Sequence, residues 1–320
     1  MTNYDVFNGD ADGILSLVQL RQVEPRASVL VTGVKRDTDL LKQVPLDKAA
    51  KKITVLDISM EKNTDALLSH LAEGAEVLYA DHHRAGEIPS HDNLQAMIDL
   101  DANTCTALIV DQYLEGKKHL WAIAATYGDN LIAKGDELSV EAGLTAEQAE
   151  LLKELGTLVN YNGYGESLQD LHYDPAQLFE SLLKYDSPFD CIEDPNSAYA
   201  KLKTAYSADH NKAQFANVIA EQSNLLAIEL EDAAWARRIS GVYGNELANN
   251  NVDKAIVVLT KNADNSFRVS LRAPINNKQG AGDICSKYAS GGGRAAAAGI
   301  NTLPLEQLED FLATTAQFYK

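Results

Sequence analysis

The chain has 320 residues, 45% apolar and 23% charged, enough to bury a sizeable core and, at about 150 residues per domain, to form two domains. Glycine and proline together account for only 28 residues, which excludes collagen-like, low-complexity and mainly disordered chains. Asp and Glu number 46 against 28 Lys and Arg, a formal charge of −18, and a field of that sign disfavours long duplex DNA while leaving small anions open, because bound cations would reverse it locally.

No stretch reaches the roughly 18 apolar residues of a membrane span, and residues 1–5 lack the basic and apolar regions of a signal peptide, so a cytoplasmic chain with no membrane partner is expected. Cys105, Cys191 and Cys285 are far apart in sequence, which suits buried free thiols better than a disulfide framework or a zinc knuckle.

In chain order, residues 4–7 read as a short strand running into Asn8-Gly9-Asp10-Ala11-Asp12-Gly13 and then an apolar helix. Apolar runs at 28–32, 53–58 and 75–80 alternate with helical stretches such as 66–73, the pattern of a parallel α/β sheet. Two of those strands end in candidate ligands, Asp57 and Asp81-His82-His83, where open α/β sheets place their ligands. Residues 104–132 read as helical, with a single acid, Asp129, after the small and apolar run of 121–128. Further helices are expected over 145–185, a linker over 185–209 and one long helix over 213–238. Beyond it, 254–260 and 266–272 read as strands, 282–288 as a helix, and 291–299 (GGGRAAAAG) as a glycine turn entering another helix.

Asp10 and Asp12 could bind two adjacent hard cations, although Asp-x-Asp-Gly is equally an Asx turn. Asp57 could be a ligand or a helix N-cap. Asp81-His82-His83 is more specific, since one imidazole can take a transition metal while the second faces substrate. His70, His91, His119, His172 and His210 have no metal-ligand spacing and read as surface or packing residues. Tyr161 and Tyr164 read as a turn with exposed aromatics or as a base-stacking loop, and Trp235 as core or an interdomain contact.

Taken together and in order, NGDADG at 8–13, Asp57 after a strand, DHH at 81–83 and Asp129 within Tyr-Gly-Asp resemble the DHH phosphoesterase superfamily. The SLRAP of 270–274 and the GGGRAAAAG of 291–299 resemble its DHHA1 domain. The resemblance implies an α/β fold: a parallel-sheet DHH domain over 1–190, a linker and connecting helix over 191–239, and a smaller α/β DHHA1 domain over 240–320. It also implies two Mn²⁺ ions, with Mg²⁺ as the alternative. Asp57 would bridge them, Asn8 and Asp10 would hold one, and Asp12, His82 and Asp129 the other, activating a water for in-line attack on phosphorus. By the same resemblance Asp57 and His83 are catalytic, and Asp81 supports them from behind. His83 also contacts substrate, together with Arg272, Arg294 and the backbone amides of Gly291, Gly292 and Gly293, in a DHHA1 domain closing over the site.

Two departures stand out. Asn8 replaces the usual His or Asp and should weaken one metal site. Arg294 replaces the usual His of the glycine turn and should shift specificity. The expected substrates are short single-stranded oligonucleotides or cyclic dinucleotides. The alternative is a nucleotide-binding or regulatory protein of the same fold with weakened turnover.

Overall fold

The computed structural model describes residues 2–47 and 50–320. Five short strands form a wholly parallel sheet: β1 (Thr2–Phe7), β2 (Val29–Val31), β3 (Lys51–Leu56), β4 (Glu76–Asp81) and β5 (Leu94–Ile98), in the order β2-β1-β3-β4-β5. Interspersed are α1 (Ala11–Val23) and α2 (Met60–Ala72). After β5 the chain turns helical, through α3 (Thr106–Tyr113), α4 (His119–Gly128), α5 (Ile132–Glu141), α6 (Ala146–Gly163), α7 (Pro175–Leu182) and α8 (Pro188–Glu193). The α/β class expected from the alternating pattern is what the chain forms, and every strand read ahead of Asp57 and Asp81 is present. β5 was not foreseen, because Leu94–Ile98 is a half-buried edge strand without a clean apolar alternation.

Alternation along the strands divides the sheet into two buried faces, as a parallel sheet requires. Tyr4, Val6, Ile53, Val55, Val77 and Tyr79 pack with Leu67 and Leu71 of α2 on one side. On the other lies α1, whose residues 11–21 are all buried. A helix enclosed on every side must satisfy its polar side chains internally. Gln19 donates to the carbonyls of Leu15 and Ala107, and Arg21 makes a bidentate pair with Asp5 at 2.7 Å while also donating to Thr54.

Gly156 explains how α4 and α6 cross so closely. A Cβ there would lie 1.9 Å from the Ala124 carbonyl oxygen and 2.8 Å from the Gly128 nitrogen, both backbone atoms. Replacing a helical glycine with alanine normally stabilises by up to about 1 kcal/mol. Gly156→Ala should do the reverse, costing roughly 1–3 kcal/mol because main chain cannot yield to it, read as a lower urea midpoint by circular dichroism.

The chain divides into two units, one ending at Thr204 and one running from Ala205 to Lys320, and the passage between them falls within α9 (Ala198–Ala213). The second unit holds a six-stranded sheet made of β6 (Asn217–Glu221), β7 (Leu225–Leu230), β8 (Ala255–Lys261), β9 (Phe267–Arg272), β10 (Gly291–Gly293) and β11 (Ala297–Leu303), in the order β10-β11-β9-β8-β7-β6. It is antiparallel except for the β7–β8 pair. α10 (Ala234–Asn250) provides the crossover between those parallel strands, and α11 (Ala281–Cys285) and α12 (Leu308–Phe318) complete the unit. Its core gathers Val257, Leu259, Val269, Leu271, Ile284, Ile300 and Phe311.

One expectation fails here and another takes an unexpected form. The long helix over 213–238 is instead β6, β7 and the start of α10. Gln222-Ser223-Asn224 acts as turn punctuation between two short apolar runs, which a helical count over the whole stretch overlooks. The stretch 185–209, read as a linker, does hold the division between the two units, but it is helical, containing α8 and most of α9. Ser187 caps α8 with Pro188 in its first turn, so the same Pro, Ser and Asp residues that suggested a loop are helix-start signals.

All three cysteines are buried. Burial pushes the Cys191 thiol up to about 11 and the Cys285 thiol up to about 12, and burial together with Asp12 and Asp129 raises Cys105 as well. Native protein should therefore show no reaction with Ellman's reagent near neutral pH, and three thiols per chain after unfolding in guanidinium.

Candidate functional site

In the strand order β2-β1-β3-β4-β5 the sheet changes direction between β1 and β3, the place where doubly wound sheets bind ligands beyond their strand ends. Asn8 and Asp10 follow β1, Asp57 follows β3, and His82 and His83 follow β4. Asp12 stands in the first turn of α1, and Asp129 caps the C-terminal end of α4. All these positions belong to the first unit.

His82 sits at the centre. Its Nδ1 lies 3.1 Å from the Thr104 carbonyl, which accepts the ring proton there and leaves Nε2 as the ligand nitrogen. Nε2 faces Asp57 Oδ1 at 3.5 Å, Asp12 Oδ2 at 3.7 Å and Asp129 Oδ2 at 3.9 Å. His83 packs edge-on against it, its Nδ1 2.7 Å from Asp81 Oδ1 and 3.7 Å from Asp57 Oδ1. Asp81 is wholly buried. Asp57, His82 and His83 each present a ligand atom within 4.8 Å of the others.

Further groups hold the acids in place. Both oxygens of Asp12 accept amide protons from the first turn of α3, from Thr106 and Ala107 at 2.8 Å each, and the Thr106 hydroxyl donates to Asp57 at 3.1 Å. Asp57 has a φ of 59°, the left-handed region that costs most residues about 1 kcal/mol or more and that functional sites tolerate. It is not the N-cap of the next helix; that is Ser59. Burial, with Asp12, Asp10, Asp81 and Asp129 around it, pushes the Asp57 carboxyl well above the usual carboxylate range. Burial raises Asp12 too, against the pull of His82. Buried acids that repel one another in this way suit a divalent cation, and mixed imidazole and carboxylate donors suit Mn²⁺.

The Asp10 side is different. Asp10 is the N-cap of α1, accepting from the Gly13 amide at 3.0 Å, so the loop makes a local side-chain turn of the kind its sequence allows. Its other oxygen forms an ion pair with the Lys35 ammonium, which also donates to Asn160 Oδ1 at 3.1 Å. Lys35 holds the Asp10 carboxyl far below its ordinary value despite burial, and Asp10 holds Lys35 above its own. Asn8 donates through Nδ2 to the Lys35 carbonyl at 3.1 Å, while its Oδ1 is buried without a hydrogen bond. Sequence reading missed Lys35, Asn160, Thr104 and Thr106. A signal existed for Lys35, which follows β2 by four residues, at the same sheet edge as the acids.

Of the remaining candidates, the glycine run, Arg272, Arg294 and Trp235 belong to the second unit and Tyr161 to the first. The glycine run is not a helix entry: Gly291–Gly293 is an edge strand paired with β11, and a φ of 148° at Gly293, where a Cβ would lie 2.4 Å from Ala298 Cα, requires glycine. An extended run with β-sheet partners on one side leaves no helix N-terminus there. Arg294 is exposed in the hairpin turn, its amide donating to Ala297. Arg272 pairs across the ladder with Ala297, and its guanidinium is tied to Asn245 Oδ1, Ser270 Oγ and the Gly241 carbonyl. Tyr161 is buried and bonded to His172, so it is neither an exposed turn aromatic nor a stacking platform. Trp235, on α10, is half-buried beneath Lys212 rather than part of a core. Among the described residues no helix is long and apolar enough to cross a membrane.

A family model for the DHHA1 domain matches residues 218–320. No curated protein matches the chain in sequence. Among solved structures, it is similar to the pGpG-specific phosphodiesterase PggH from Vibrio cholerae, at 15% identity over 99% of this chain and 98% of that one, with a TM-score of 0.52. It is also similar to the exonuclease RecJ bound to manganese, at 16% identity over 99% and 90%, TM-score 0.53. An exopolyphosphatase-related protein from Bacteroides fragilis matches at 13% identity over 99% and 92%, TM-score 0.51. At such identities the likeness is one of fold, and it runs through both units. Residues 218–320 thus match the DHHA1 domain, and the chain as a whole shares the two-unit α/β fold of these phosphodiesterase and exonuclease structures.

Proposed function

We propose that the chain is a metal-dependent phosphoesterase that hydrolyses phosphodiester bonds of short single-stranded oligonucleotides or cyclic dinucleotides, most readily from one end of a short oligonucleotide. The observation that carries this reading is the buried group of Asp12, Asp57 and Asp129 converging on Nε2 of His82. Mn²⁺, with Mg²⁺ as the alternative, would be held there by those four side chains, and when bound it supplies Lewis acidity toward a phosphoryl oxygen and lowers the pKa of water. RecJ, of the same fold, is described with manganese, which supports that choice of metal.

The chain's own groups do the rest. The Thr104 carbonyl keeps His82 in the tautomer whose Nε2 faces the acids. Asp81 accepts a hydrogen bond from Nδ1 of His83 and so leaves Nε2 of that ring available, where it can hydrogen-bond a phosphoryl oxygen or pass a proton to the leaving oxygen. In the DHHA1 domain, Arg272 is held by Asn245, Ser270 and the carbonyls of Gly241 and Leu271, and Arg294 with Gly291, Gly292 and Gly293 lies on the adjoining β10–β11 hairpin, a set suited to anionic oxygen. PggH acts on pGpG, a linear dinucleotide, and RecJ is an exonuclease. Both favour a short or terminal substrate, in keeping with the acidic surface.

The test is Mn²⁺-dependent hydrolysis of a dinucleotide, a longer single-stranded oligonucleotide, a cyclic dinucleotide and pyrophosphate, with His82→Ala as control. Turnover of one of the first three that the control lacks is expected. Turnover of none of them, with Mn²⁺ bound, would favour the nucleotide-binding alternative.

A further inference from the structure

The two sides of the carboxylate cluster are not equivalent, and the difference lies in Lys35. Its side chain is mostly buried, its ammonium is paired with Asp10 Oδ2 and bonded to Asn160 Oδ1, and it lies 5.4 Å from the centre of the Tyr164 ring. Its main chain is fixed as well: the amide donates to the Gly163 carbonyl at 2.9 Å, and the carbonyl accepts from Asn8 Nδ2. The loop carrying it is pressed against the acidic loop, since a Cβ on Gly9 would lie 1.9 Å from the Gly33 carbonyl oxygen. Lys35 is thus a positioned cation rather than a surface side chain that happens to reach an acid.

We propose that the Lys35 ammonium takes the place of one of the two metal ions, so that the chain binds a single divalent ion, on the His82 side of Asp57. This rests on the metal-dependent reading above. The donor sets support the division. On the His82 side three carboxylates and an imidazole nitrogen converge. On the other side Asp10, whose oxygens like those of Asp12 already accept hydrogen bonds, has a cation, Lys35, as one of its partners. What is left there, besides Asp57, which the His82 side also uses, is Asn8 Oδ1, a single neutral oxygen, which cannot offset the repulsion between a dication and an ammonium sharing one carboxylate. An ammonium also needs no loading: it is present whatever the metal supply, and it cannot act as a Lewis acid toward water.

The experiment is equilibrium dialysis against Mn²⁺ with metal per chain read by plasma mass spectrometry, together with the electron paramagnetic resonance spectrum of the loaded protein. Wild type should bind one ion and give the spectrum of an isolated Mn²⁺. Lys35→Ala should bind two and give an exchange-coupled spectrum, whereas Lys35→Arg, which keeps the charge, should stay at one. Two coupled ions in wild type, or one ion in a folded Lys35→Ala, would overturn the assignment while leaving the metal-dependent reading intact. No ion in wild type would overturn that reading and this one with it. Should Lys35→Ala fail to fold, the wild-type stoichiometry and spectrum decide alone.

Discussion

Asp57→Asn should abolish the proposed metal-dependent hydrolysis, by on the order of 10³-fold or more, and at the same time make the metal-free protein more stable. Loss of activity follows from removing the carboxylate closest to Nε2 of His82, shared between the two sides of the cluster. The gain in stability follows from the same environment. The Asp57 carboxyl is raised well above its ordinary value by burial and by four neighbouring acids, so the folded chain binds its proton more tightly than the unfolded chain does. Stability then falls as pH rises from the unfolded value near 4 through the raised folded value, and the full cost is present above it. Asparagine keeps the shape, accepts from the Thr106 hydroxyl and tolerates the left-handed backbone at this position. An increase of roughly 1–3 kcal/mol at neutral pH is expected, shrinking toward pH 4, in urea titrations with chelator present. Asp57→Ala should gain less, since alanine pays for the positive φ. Excess Mn²⁺ should close the gap by stabilising wild type and not the variant. A metal-free Asp57→Asn less stable than wild type at pH 7 would show that the cluster is not under electrostatic strain.

Asp5→Ala should be among the most damaging single changes away from the site. Asp5 is buried in β1 and accepts from Arg21 through both oxygens and from Arg26 at 2.9 Å, with Thr54 sharing both guanidinium groups. Removing the carboxylate leaves Arg21, on the most enclosed helix of the unit, with a buried and uncompensated charge, a loss of about 3–5 kcal/mol. For a protein of this size each kcal/mol corresponds to about 2–4 °C, so the first thermal transition should drop by roughly 10 °C. The pair as such need not be stabilising. Asp5→Leu combined with Arg21→Met should recover much of the loss, and a double variant as unstable as Asp5→Ala would point instead to a packing defect.

What could be read from the sequence was what simple geometry transmits. A short apolar run followed by an acid or a histidine places that side chain at the end of a strand, and three such runs bring Asp10, Asp57 and His82 to one end of the sheet without any knowledge of the helices between. Asp129 could be noticed as an acid after an apolar helix, and only the family resemblance set it beside Asp12 and His82. Lys35 escaped because a lysine in a loop reads as solvated, and only the contact with Gly9 and the arrival of α6 bury it. Residues 213–238 misled because their apolar count suits a helix, while the turn at 222–224 and the docking of β7 beside β8 decide otherwise. The glycine run misled in a different way: its flexibility was legible, but its use as an edge strand depends on β11 lying alongside.

The bonds from Thr106 and Ala107 to Asp12 carry a consequence for how the site can be observed. The carboxylate that faces His82 is also the anchor for the free amides at the start of α3, so any rearrangement of its charge is felt directly by two backbone protons. Those amides are native reporters of what occupies the cluster, readable by chemical shift in a protein labelled with nitrogen-15 and requiring neither a chromophore nor turnover.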